Sequence, residues 1–143
     1  MSTKSIIRDV AYTVAVTVAS PIWGYKWLST GKWRTDWKAR LGHCPLAPLP
    51  DGPGKPKTLL IHAVSVGEID AIRQLVRTLG KLGGPALRVV VSTTTDTGTA
   101  RARTLYEPDF AVVRYPFDFS RSVNRFLDAV RPDLVALVEL EVW

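Results

Sequence analysis

Apolar spacing divides the chain at a proline-rich stretch, beyond which short apolar runs alternate with helix-periodic segments. Thr58-Leu59-Leu60-Ile61 is apolar and partly β-branched, which predicts a buried strand. Leu87–Val91 and Leu134–Val138 predict further strands, and Ala111–Tyr115 a weaker one. Ile69, Ile72, Leu75, Val76 and Leu79 recur at helical spacing, so a helix is expected over Ile69–Leu82, stopped by Gly83-Gly84. Gly98–Tyr106 reads as a short basic helix. Ser120–Val130 carries Val123, Phe126, Leu127 and Val130 on one face and ends before Pro132. Continuous apolar strands alternating with helices predict an α/β fold built on a parallel, doubly wound sheet.

Upstream the pattern changes. Val10–Leu28 is mostly apolar, with Lys26 its sole charge. A transmembrane helix needs about 20 predominantly apolar residues, but here Pro21 and Gly24 interrupt the run and Thr13 and Thr17 dilute it. No small-residue cleavage site follows it, which fits a signal peptide poorly. Trp23, Trp27, Trp33 and Trp37 stand among Lys26, Lys32, Arg34, Lys38 and Arg40, the aromatic-beside-basic mixture that a membrane interface selects. Three readings stay open: a surface-lying anchor, a full span, or a soluble amphipathic helix. Pro45, Pro48, Pro50, Pro53 and Pro56, with Gly52 and Gly54, allow neither helix nor central strand. The expected organisation is a membrane-associated helix and basic segment over 1–44, a linker over 45–57 and a folded unit over 58–143.

Composition adds limits. A length of 143 residues is one domain, small for a complete two-substrate enzyme. The net charge of +6 favours an anionic partner. One cysteine, Cys44, excludes an internal disulfide, and with two histidines, His43 and His62, it cannot make a Cys/His metal cluster.

A parallel sheet brings its strand-end loops to one edge, where open α/β sheets bind ligands. Those loops hold Ser65, Glu68, Thr93, Thr94, Thr95, Asp96, Thr97, Asp118, Glu139 and Glu141. Glu68 falls on the first turn after the strand, placed to take a proton from a ligand at that edge. The spacing Ser65-x-x-Glu68 equally makes a capping box, and the helix dipole that stabilises the carboxylate weakens it as a base. Thr97 and Ser120 fit helix caps, and Asp118 a turn. Glu139 directly follows an apolar strand, where no cap role accounts for it; strand alternation would send Glu139 and Glu141 to one side.

His62-Ala63-Val64-Ser65-Val66-Gly67-Glu68, Ser92-Thr93-Thr94-Thr95-Asp96-Thr97-Gly98, Tyr115-Pro116-Phe117-Asp118, Asn124-Arg125-Phe126-Leu127 and Val138-Glu139-Leu140-Glu141-Val142-Trp143 occur in this order, preceded by Lys38-Ala39-Arg40-Leu41-Gly42. The set resembles the N-terminal half of the 3-deoxy-D-manno-octulosonate (Kdo) transferases. The resemblance implies a Rossmann-like domain, the acceptor-side half of a two-domain GT-B glycosyltransferase that moves Kdo from CMP-Kdo to a lipid A precursor. It implies Glu68 as general base and Glu139 as a second active-site residue, with acceptor contacts from Ser65, Gly67, Thr93, Thr94, Thr95 and Asp118. Lys26, Lys32, Arg34, Lys38 and Arg40 would meet lipid phosphates at the cytoplasmic face of the bacterial inner membrane. No metal or other cofactor is implied beyond the CMP-Kdo donor. The family continues past the tryptophan matching Trp143 into a nucleotide-sugar domain, so this chain alone is expected to be inactive. The competing reading is a non-catalytic membrane-surface module that binds acidic lipid, which needs only the apolar run and the charge. A generic nucleotide-binding α/β module has no specific support, because no Gly-x-Gly-x-x-Gly turn or Walker-type lysine loop is present. Nucleic acid is not expected, because the basic residues adjoin an apolar run and a membrane accounts for both features.

Overall fold

The computed structural model describes residues 6, 7, 9–18, 20, 36–47, 49 and 52–139. Strands β1 (Lys57–His62), β2 (Leu87–Thr93), β3 (Ala111–Arg114) and β4 (Leu134–Leu137) form one parallel sheet in the order β3-β2-β1-β4. Residues 9–18 are helical (α1), followed by α2 (Trp37–Arg40), α3 (Val66–Ala71), α4 (Arg73–Gly83), α5 (Asp96–Tyr106) and α6 (Ser120–Val130). The strands lie within a residue or two of their expected bounds, and α6 matches its expected bounds.

The strand order explains the two-sided core. From β1 the chain steps outward to β2 and β3, then crosses back over β1 to β4. Right-handed crossovers therefore put α3, α4 and α5 on one face and α6 on the other. Side chains along each strand divide accordingly. Leu59, Ile61, Val89, Val91 and Val112 join Ile69, Ile72, Val76, Ala102 and Tyr106 in one cluster. Leu60, Val90 and Val113 join Phe126 and Val130 in the other. This is the doubly wound arrangement expected from continuous apolar strands, with the reversal of strand order between β1 and β4.

The helix expected over Ile69–Leu82 is two helices. It starts earlier, at Val66, and breaks at Ile72, whose backbone (φ −82°, ψ 0°) leaves the helical region. At the break the Ile69 carbonyl accepts the Tyr106 hydroxyl at 2.5 Å, which ties α3 to α5. Spacing of apolar residues continues through a break like this, because α3 and α4 both turn their apolar side to the same layer.

The segment before β1 is built onto the sheet unit. Asp36 caps α2 by accepting the Ala39 amide at 3.1 Å. The Phe117 amide donates to the Arg40 carbonyl at 2.9 Å, and Arg125 Nη1 to the Leu41 carbonyl at 2.8 Å. Cys44 and Leu46 pack against the cluster around Phe126. Gly42 is buried at φ +87°, and a Cβ there would land on the Ser122 carbonyl. Among the described residues no helix is long and apolar enough to cross a membrane; residues 21–35, which hold much of the expected anchor, lie outside the described residues.

Candidate functional site

The carboxyl ends of the strands converge as parallel topology requires. Centred there is Glu68, on the first turn of α3 and 9% exposed. Its Oε1 accepts the Ser65 hydroxyl at 2.6 Å and its Oε2 accepts the Val64 amide at 2.7 Å. The Glu68 amide in turn donates to Ser65 Oγ at 3.3 Å. The capping box is thus formed, with the carboxylate reaching one residue further back than the cap. Burial pushes the Glu68 carboxyl up, but the Ser65 hydroxyl, the Val64 and Ser65 amides and the nearby His62 outweigh it and hold it below the usual carboxylate range. At neutral pH the group is ionised and fixed, each oxygen keeping lone-pair capacity for a further donor.

The threonine loop is tied to the same point. Thr93 Oγ1 and Thr95 Oγ1 both donate to the Val64 carbonyl, at 3.2 and 3.1 Å. Thr95 also accepts the Gly98 amide at 3.0 Å and is the N-cap of α5. The cap is therefore Thr95, and Thr97, expected in that role, lies exposed within the helix. Ser65, Glu68, Thr93 and Thr95 are gathered around the Val64 peptide. Thr94 is half-buried beside them, and Gly67 is exposed with open space where a Cβ would stand, its nearest neighbour being Ser65 Oγ at 3.9 Å.

Other expected site residues stand apart from that cluster. Asp118 is exposed in the β3–α6 loop, and its charge bears on Tyr12 of α1, helping burial to push the Tyr12 phenol up. Ser120 does not cap α6 through its own side chain; its hydroxyl and amide donate to Asp9, which supplies the cap from α1. Arg40 turns inward: its guanidinium lies 5.2 Å from the centre of the Phe117 ring, its Nε is buried with no hydrogen-bond partner, and burial, with Arg114 nearby, lowers its pKa. Lys38 is exposed on α2. Lys26, Lys32, Arg34 and Glu141 lie outside the described residues. Glu139 is exposed two residues past β4 at φ +61°, so strand alternation does not reach it.

The first residues of two of the motifs, His62 and Ser92, form a buried pair at this edge. His62 Nδ1 and Ser92 Oγ lie 2.9 Å apart, and the His62 ring packs on Tyr115 with centroids 4.7 Å apart. His62 ends β1 and faces Ser92 of β2 in register. Only strand register could have paired them. Among the described residues no group of His, Cys, Asp and Glu is arranged to hold a metal ion.

Residues 35–143 match the family model described as 3-deoxy-D-manno-octulosonic-acid transferase (kdotransferase). The chain is 32% identical over 143 residues to the 3-deoxy-D-manno-octulosonic acid transferase of Bordetella pertussis, covering 92% of the chain and 32% of that protein. It is 30% identical over 140 residues to the same-named protein of Chlamydia trachomatis serovar D, covering 97% of the chain and 31% of the relative. Over 88 residues it is 35% identical to the Haemophilus influenzae protein of that name, covering 62% of the chain and 20% of the relative. The chain therefore spans less than a third of the length of each of these curated relatives. No solved structure gives a significant match.

Proposed function

Because the chain belongs to the 3-deoxy-D-manno-octulosonic-acid transferase family, we propose that it forms the acceptor-side wall of a glycosyltransferase that moves Kdo from CMP-Kdo to a lipid A precursor. The observation that carries this reading is Glu68: an ionised, immobilised carboxylate at the ligand-binding edge of a doubly wound sheet, inside the family's first motif. In the proposed step Glu68 takes the proton of an acceptor hydroxyl. The freed oxygen attacks the anomeric carbon of Kdo, and the bond to CMP breaks with its electron pair leaving on the phosphate. A carboxylate held below its usual pKa is a weak base in the ground state. It serves when the hydroxyl becomes acidic as its oxygen bonds to carbon. Ser65, already donating to Glu68 at 2.6 Å, can turn its hydroxyl away as the carboxylate gains the proton.

In this reading Glu139 faces the sugar from the end of β4, and Gly67, Thr93, Thr94, Thr95 and Asp118 line the acceptor side. The sheet is half of a GT-B pair, with CMP-Kdo held by the polypeptide that the longer relatives carry beyond this length. The chain works at the cytoplasmic face of the inner membrane, where the aliphatic side of α1 and the basic residues Lys26, Lys32, Arg34, Lys38 and Arg40 meet lipid.

The test is to join this chain to the remaining two thirds of the Bordetella pertussis relative and assay transfer from CMP-Kdo to a lipid A precursor. Transfer is expected from the joined protein. From the unjoined chain, calorimetric titration is expected to give weak acceptor binding and no measurable CMP-Kdo binding. Tight CMP-Kdo binding by the unjoined chain would move the donor site here and overturn the assignment.

A further inference from the structure

The N-terminal helix is fastened to the edge that carries Glu68 by a borrowed helix cap. The N-cap position of α6 is Phe119, which offers no side-chain acceptor. Asp9 of α1 takes that role: its Oδ1 accepts the Ser120 hydroxyl at 2.9 Å and the Ser120 amide at 3.3 Å. A carboxylate there satisfies an amide left unpaired at the helix start and complements the helix dipole. Near it, the Tyr12 ring meets Phe119 edge-on with centroids 4.9 Å apart. Since α6 follows β3 in a parallel sheet, its first turn lies at the same edge as Glu68 and Thr95.

Apart from Asp9 and Tyr12, all the residues of α1 are exposed. At about 3.6 residues per turn, Asp9 and Tyr12 share one side of the helix. Val14 and Val18 fall on the other, 57% and 74% exposed, with Val10 beside them at 57%. The face is aliphatic and the chain carries a net charge of +6, which favours an anionic lipid surface over a second, equally charged copy.

We propose that Asp9 and Tyr12 are positioning residues: they lock α1 across the carboxyl edge of the sheet, so that its aliphatic stripe, lying on a bilayer, holds the Glu68 edge against that bilayer. This rests on the membrane reading above. An anchor on a free tether would leave the site in any orientation; a helix capped onto α6 restricts it to one.

The experiment uses the whole chain in a Cys44→Ser background, with a fluorophore on Thr97→Cys or on Leu82→Cys. Thr97 is exposed at the Glu68 edge, and Leu82 is exposed near the end of α4, at the opposite edge. Vesicles of phosphatidylcholine and phosphatidylglycerol carry a doxyl-lipid quencher. The chain is expected to sediment with the vesicles, with quenching severalfold greater at position 97 than at 82. Asp9→Ala with Tyr12→Ala is expected to sediment equally well and lose that difference. Asp9→Asn keeps a capping acceptor and is expected to retain it. Equal quenching at both positions without substitution, or an unchanged difference in the double variant, overturns the positioning role while sedimentation upholds the membrane reading. Failure to sediment overturns the membrane reading, and the positioning role falls with it.

Discussion

Glu68 and Ser65 show how one pair can be both cap and candidate chemistry. Ser65 accepts the Glu68 amide and donates its hydroxyl to the Glu68 carboxylate, so its removal strips both roles at once. Ser65→Ala is expected to cost about 0.5–2 kcal/mol at neutral pH, read by urea unfolding. The pH dependence follows from the direction of the shift. Glu68 is held below its unfolded value, near 4.3 for a free glutamate, so its contribution is present above that value and lost as pH falls through the folded one. Ser65→Ala should therefore flatten the stability loss below about pH 4.3, and an NMR titration of Glu68 should move upward. Glu68→Gln in the joined protein is expected to lower turnover by about 10²–10⁴ while costing only a cap's worth of stability. Near-normal turnover in a folded Glu68→Gln protein would leave Glu68 a cap alone.

At the scale of elements, close backbone approaches decide which loops can meet. A Cβ on Gly98 would stand 2.6 Å from Thr93 Oγ1 and 2.7 Å from Thr95 Oγ1, the hydroxyls that hold the Val64 carbonyl. Gly98→Ala is thus expected to push the threonine loop off the Glu68 turn and to destabilise by about 1–3 kcal/mol. Gly42→Ala combines a left-handed backbone with a clash against the α6 backbone, which cannot yield as a side chain tip can. A loss of at least about 1–3 kcal/mol is expected, together with weaker seating of α2 on the β3–α6 loop. Chemical denaturation reads both totals, and loss of the Arg125 contact to the Leu41 carbonyl separates the second case by its chemical shift.

For the whole molecule, burial is uneven across the sheet. β1 and β2 are buried on both faces, whereas Leu134, Val135 and Leu137 of the edge strand β4 are exposed. Local opening costs least where few apolar contacts break. Hydrogen exchange should therefore release β4 amides well before those of β1, even though the two strands are paired. Uniform protection across all four strands would contradict this ordering.

Much of this was legible in residue order. Continuous apolar runs predict parallel strands and one functional edge, because alternation and helix periodicity are local properties; the two-sided burial such runs imply holds for β1 and β2 but not for β4. The Ser65-x-x-Glu68 spacing foretold a real capping box for the same reason. What depended on distance along the chain was decided by tertiary structure alone. The break at Ile72 sits where Tyr106 of α5 reaches the Ile69 carbonyl, and the His62–Ser92 pair requires strand register. Thr95 rather than Thr97 caps α5, because the chain turns into the helix two residues earlier than apolar spacing reveals. Arg40 lies against Phe117 instead of in solvent, and Asp9 caps a helix 111 residues away. Local pattern sets which face of an element is apolar; only packing sets which distant polar group arrives to satisfy the backbone at its end.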